Sequence, residues 1–93
     1  MSESSRAPEN LPVSFASFLV SLGSSALVHL GEIPDPATGA PTPDLMLARH
    51  TIDVLGLLQE KTKGNLDDDE HKLLDALLVE LSAKLKAASS SAS

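Results

Sequence analysis

Cysteine is absent from the 93 residues, as are tryptophan and tyrosine, and two phenylalanines are the only aromatic side chains. Without thiols, neither a disulfide framework nor a thiolate metal site can add stability, and disulfide use gives no information about compartment. A core with so few aromatics must be aliphatic. Leu, Val and Ala dominate the apolar 42% of the chain, a mixture that favours helices. Cations are also sparse: seven Lys and Arg stand against thirteen Asp and Glu, a formal net charge of −6. Phosphate binding depends on clustered basic residues, and these are scattered, so a nucleic-acid surface is not expected.

The motifs of catalysis are missing as well. No serine lies in a GxSxG or comparable context, so no nucleophile stands out. Gly23, Gly31, Gly39, Gly56 and Gly64 are isolated and have no phosphate-loop spacing. His29, His50 and His71 fall one per expected helix, which would suit three ligands converging on zinc. Their positions, near a helix end, beside a charged face and in a first turn, are those of surface histidines. The expectation is a non-enzymatic protein with no cofactor, no metal site and no catalytic residue.

From Leu11 to Gly31 there is no Asp, Glu, Lys or Arg, which raises the question of a membrane span or a signal peptide. Ser14, Ser17, Ser21, Ser24 and Ser25, with Gly23 and His29, dilute the run, and Glu3 and Glu9 against Arg6 are the wrong balance for a secretory leader. A cytoplasmic protein is expected.

What the chain does contain is punctuation. Ile52 to Glu70, IDVLGLLQEKTKGNLDDDE, spells a helix end, a turn and a helix start in succession. Lys61 and Lys63 suit the negative end of a helix dipole, and Gly64 suits the left-handed conformation that closes a helix. Asp67 reads as an N-cap, with Glu70 completing a capping box and Asp68 and Asp69 in the first turn. So short a connection makes the two helices an antiparallel αα-hairpin.

The rest of the chain organises around that hairpin. Residues 1–12 are expected to be a disordered N-terminal tail, 13–86 a helical domain and 87–93 a disordered Ser/Ala tail. Helices are predicted over Ser14 to Leu30, Asp44 to Lys63 and Asp67 to Lys86. In the first, Phe15, Phe18, Leu19, Leu22, Ala26 and Leu30 share a face, opposite Ser17, Ser21, Ser24 and Ser25. Glu32 to Pro43, EIPDPATGAPTP, has four prolines and a glycine. It reads as a stiff structural loop rather than a cation loop, although Glu32, Asp35 and Asp44 offer carboxylates. The second helix is apolar around most of its circumference: Leu45, Leu47, Ala48, Ile52, Val54, Leu55 and Leu58, with Thr51 and Gln59 inside the apolar arc as local or register-setting hydrogen-bond formers. In the third, Leu73, Leu74, Leu77, Leu78, Leu81 and Leu85 form one stripe. Asp68/Lys72 and Glu80/Lys84 have the spacing of surface ion pairs.

Phe15, Phe18 and Leu19, LGEIPDP from Leu30 to Pro36, and the run from Ile52 to Leu66 followed by Glu70 together resemble the bacterial domain-of-unknown-function family numbered 1844. The resemblance implies a small helical bacterial protein, with no established activity and no catalytic residues to carry over. Where that family has an Arg- and Tyr-containing finish, this chain has Ser82, Ala83, Lys84 and Leu85.

The function expected from all of this is a protein–protein interaction or scaffolding module that self-associates, most simply as a symmetric dimer. Two neighbouring helices cannot cover all of so apolar a second helix, including Met46 and Leu57 on the side away from Ala48 and Leu55. Ser17, Ser21 and Ser24 join Met46 and Leu57 as candidate interface residues, on a face that is either small enough for close helix approach or simply solvated, and an unidentified protein partner could cover the same apolar patch. The alternative is a peripheral membrane-associated regulator using the charge-free first helix. A membrane-lying helix has basic residues on its polar face, and the first helix has none.

Overall fold

The computed structural model describes residues 13–92; the expected tail of residues 1–12 lies outside them. Among the described residues three helices, α1 (Phe15–Leu30), α2 (Leu45–Lys61) and α3 (Asp68–Ala92), account for the regular structure. Each packs against the other two. The domain is all-α, with no strand among the described residues.

Local side chains fix the helix starts. Before α1, the Ser14 hydroxyl accepts from the Ser17 amide at 3.0 Å, and the Ser17 hydroxyl accepts from the Ser14 amide at 3.3 Å. That reciprocal pair is a capping box in which serine replaces the usual Glu. Asp44 caps α2 by accepting from the Leu47 amide at 3.1 Å. Ahead of α3, the Glu70 amide donates to Asp67 Oδ1 at 2.8 Å while Glu70 Oε1 accepts from the Asp67 amide at 3.0 Å. The Asp67–Glu70 box read from the sequence therefore forms as expected.

The helix ends follow the sequence less closely. α1 stops at Gly31, whose φ of 82° lies in the left-handed region. There the Gly31 amide donates to Val28 and the Glu32 amide to Leu27, the paired bonds of a Schellman motif. α2 ends at Lys61 rather than Lys63, because Thr62 leaves helical geometry and the chain turns before Gly64 takes its φ of 85°. α3 continues to Ala92, six residues past the expected Lys86. Nothing between Lys86 and Ala92 breaks a helix: Ala87 and Ala88 are strong helix formers, and no glycine or proline intervenes. Ala88 also packs against the core.

Eight apolar side chains make up the buried core: Leu19, Ala26 and Leu30 from α1, Ala48, Ile52 and Leu55 from α2, and Leu74 and Leu81 from α3. The expected faces are recovered, with one correction. Phe18 is 47% exposed, at the edge of the α1 stripe with its ring 6.4 Å from that of Phe15. The buried α1 positions are Leu19, Gly23, Ala26 and Leu30, and a Cβ placed at Gly23 would lie 3.0 Å from Leu77 Cδ2. Phe18 is about 100° round the helix from Leu19, at the margin of that buried stripe.

Tie points fix the mutual placement of the helices. Gly23 meets Leu77, and Lys84 Nζ reaches Glu32 Oε1 at 3.3 Å, so α1 and α3 run side by side in the same direction. Lys84 thus reaches the loop after α1 rather than the expected Glu80. Gln59, in the last turn of α2, donates through Nε2 to Asp75 Oδ1 at 2.7 Å, two turns into α3. The Asp44 amide donates to the His29 carbonyl at 2.7 Å, joining the end of α1 to the start of α2.

The α1–α2 loop is organised by Asp35. Its Oδ1 accepts from the Ala37 amide at 2.8 Å and its Oδ2 from the Thr42 hydroxyl at 3.2 Å, while its carbonyl accepts from the amides of Thr38 and Gly39. The Asp35 carboxylate is therefore committed to holding the loop.

Candidate functional site

Two places on the surface combine exposed groups with a defined shape. The first is a cavity of about 380 Å³ where α2 turns into α3, lined by Gln59, Thr62, Lys63, Gly64, Leu66, His71, Leu74 and Asp75. Leu66 and Leu74 form its apolar lining. Asp75 lies at the centre of the polar groups: Oδ1 accepts from Gln59, and Oδ2 lies 3.0 Å from His71 Nδ1, one helical turn away on α3. The Thr62 hydroxyl donates back to the Leu58 carbonyl at 2.6 Å. These groups turn toward one another, and their chemistry is that of a clasp fixing the α2–α3 register. Gln59, expected inside the apolar arc, is exposed and bonds across to α3, while Thr51 is buried and bonds locally, its hydroxyl donating to the Leu47 carbonyl at 2.9 Å.

Among the described residues, no three of His, Asp and Glu converge so as to hold a metal ion. His29 is half-buried beside the loop, His50 is exposed on α2, and His71 is held by Asp75. No helix among the described residues is long and apolar enough to cross a membrane.

The second place is the outer side of α2. A helix directs residues a whole number of turns apart to the same side, and Met46, His50, Asp53 and Leu57 all lie opposite Ala48 and Leu55. Met46 is 84% exposed and Leu57 55%, with Leu47 on the adjoining flank at 46%. Arg49, His50 and Asp53 are exposed and have no hydrogen-bond or ion-pair partner among the described residues. The neighbouring helices leave this side uncovered.

The five residues singled out from the sequence divide between two helices. Met46 and Leu57 are on the outer side of α2, whereas Ser21 and Ser24 are exposed on the outer side of α1, opposite Leu19 and Ala26. Ser17 is half-buried, and its hydroxyl is committed to the α1 cap. Each helix turns its own core stripe inward, so these outer sides point in different directions and do not merge into one surface. The Gln59–Asp75–His71 clasp was not singled out. Its readable signal was the four-residue spacing of His71 and Asp75, which puts both on one face of α3.

A family model described as a domain of unknown function (DUF1844) matches residues 12–86. No curated protein and no solved structure matches the chain.

Proposed function

The chain belongs to the DUF1844 family, whose function is unknown, so no inherited chemistry directs the reading, and we propose that it is a protein–protein interaction module that self-associates through the outer side of α2. The observation that carries this reading is the exposure of Met46 and Leu57 on one line of one helix, at 84% and 55%. Isolated surface hydrophobics need no explanation. Two large ones on the same side of a helix already buried on its opposite side describe a helix with two faces to cover, and a two-fold pair is the commonest closed solution. The proposal includes a scaffolding role in the bacterial cytoplasm. A peripheral membrane role has less support, because the outer side of α1 presents serines and no basic residue.

The test is the mass of the full chain by light scattering across a dilution series. A dimer at high micromolar concentration, dissociated by Leu57→Glu with unchanged helicity, is expected. A strict monomer at that concentration defeats the proposal.

A further inference from the structure

The outward residues of α2 carry a second, narrower period. Met46, His50, Asp53 and Leu57 are separated by four, three and four positions, the alternation of a coiled-coil seam, and all four are exposed. Along the seam the chemistry reads apolar, basic, acidic, apolar. Reversed, that order is its own complement. A parallel pair of such helices sets His50 on His50 and Asp53 on Asp53. A two-fold axis crossing α2 between Thr51 and Ile52 instead puts His50 opposite Asp53 and Met46 opposite Leu57, each twice.

The flanks agree with the reversed pairing. Leu47 and Val54 share one flank of the seam, exposed and half-buried respectively, and pairing about this axis brings them together across the two copies. The other flank holds Arg49 and Gly56. Glycine destabilises the middle of a helix relative to alanine, and a Cβ at Gly56 would meet nothing within 4 Å. The fold of the single chain thus offers no packing reason for a glycine there, in contrast to Gly23. Beside a second α2, the missing Cβ leaves room for the stem of the opposing Arg49.

We propose that the occupant of this side is a second copy of the chain, with α2 packed antiparallel on α2 about an axis between Thr51 and Ile52, His50 facing Asp53 and Met46 facing Leu57 across the contact. The inference rests on the self-association reading above and adds its register. The seam covers about three helical turns, which places the contact among small, reversible interfaces.

Charge exchange tests the register on the full chain, with circular dichroism confirming that each variant folds. His50→Asp alone sets two pairs of carboxylates against each other, and Asp53→Lys alone removes both carboxylates that face His50; each is expected to raise the dimer dissociation constant, His50→Asp about tenfold. The doubly exchanged chain is expected to return it to near the starting value. Because the chain has no cysteine, single thiols report direction cleanly. Met46→Cys mixed with Leu57→Cys is expected to form a disulfide-linked dimer on mild oxidation. Neither variant alone should do so, since like positions lie about 16 Å apart along the axis, beyond disulfide reach. A homodisulfide through position 46 would overturn the antiparallel register while leaving self-association standing. A dimer indifferent to the charge exchanges places the contact elsewhere and overturns the inference alone. A wild-type monomer at all concentrations removes both readings.

Discussion

On its inner side α2 presents Ala48, Ile52 and Leu55, all buried, with the Thr51 hydroxyl bonded to the Leu47 carbonyl one turn back. On its outer side it presents Met46 and Leu57, mostly or largely exposed, with His50 and Asp53 unpaired between them. The inner side is apolar but for Thr51 and is covered by the fold, whereas the outer side sets two polar residues between two apolar ones and is left open. What stabilises the domain and what remains available to a partner are therefore separable on one helix, residue by residue.

That separation predicts its own largest effect. Leu55 is fully buried, so Leu55→Ala should cost about 2–5 kcal/mol through lost burial and a residual cavity. Leu57→Ala, two positions on, should change the stability of the monomer by no more than about 0.5 kcal/mol. Urea titrations of both variants at a concentration too low for association give the comparison directly, and losses of similar size would erase the distinction between the sides.

The inner side also depends on α3 starting where it does. Asp67→Ala removes the cap ahead of α3 and is expected to cost about 0.5–2 kcal/mol. Thermal melts followed by circular dichroism measure this, and an unchanged midpoint would show that the capping bonds contribute nothing. Gly56→Ala should act in the opposite direction, since its Cβ enters open space and alanine favours the helix by up to about 1 kcal/mol. Calorimetry of the dilute protein should show a raised midpoint; a lowered one would mean that Gly56 has a packing role within the single chain. A small loss is expected at Glu32→Gln, which breaks a partly exposed ion pair with Lys84. A loss of about 0.2–1 kcal/mol, shrinking as salt is added, is the expected result of paired melts at low and high ionic strength.

What is most legible in the sequence is the capping of the helices, which depends on neighbours a few positions apart. The Asp67–Glu70 box caps α3 as read, because a cap joins residues three apart and needs no knowledge of the fold, and the Ser14 and Asp44 caps rest on the same local spacing. Gly31 and Gly64 take the left-handed conformation for the same local reason. The features missed are those set at a distance. Gly23 looked like a diluting residue on a serine-rich helix, and its role depends on Leu77, which belongs to α3. The helix wheel puts Phe18 on the core face, but the buried stripe of α1 is centred on Leu19, Gly23, Ala26 and Leu30 and leaves Phe18 at its margin. Helix spacing pairs Lys84 with Glu80, yet Lys84 reaches a loop residue 52 positions earlier. Of the candidate surface, Met46 and Leu57 were identifiable from the excess of apolar residues on α2. That Ser21 and Ser24 point away from them required the helices to be placed around one core.

The Gly23–Leu77 approach has a consequence for the order in which the domain assembles. The Gln59–Asp75 bond closes a loop of 16 positions and the Lys84–Glu32 bond one of 52. Closing the longer loop costs about 1 kcal/mol more in chain entropy when the rest of the chain is unstructured. The contacts of α2 with each neighbour are thus the cheaper ones to make early, and the seam between α1 and α3 closes last, after α2 has brought both to hand. The seam that closes last contributes little at the folding barrier, so weakening it at Gly23 or Glu32 is expected to accelerate unfolding and leave the folding rate nearly unchanged.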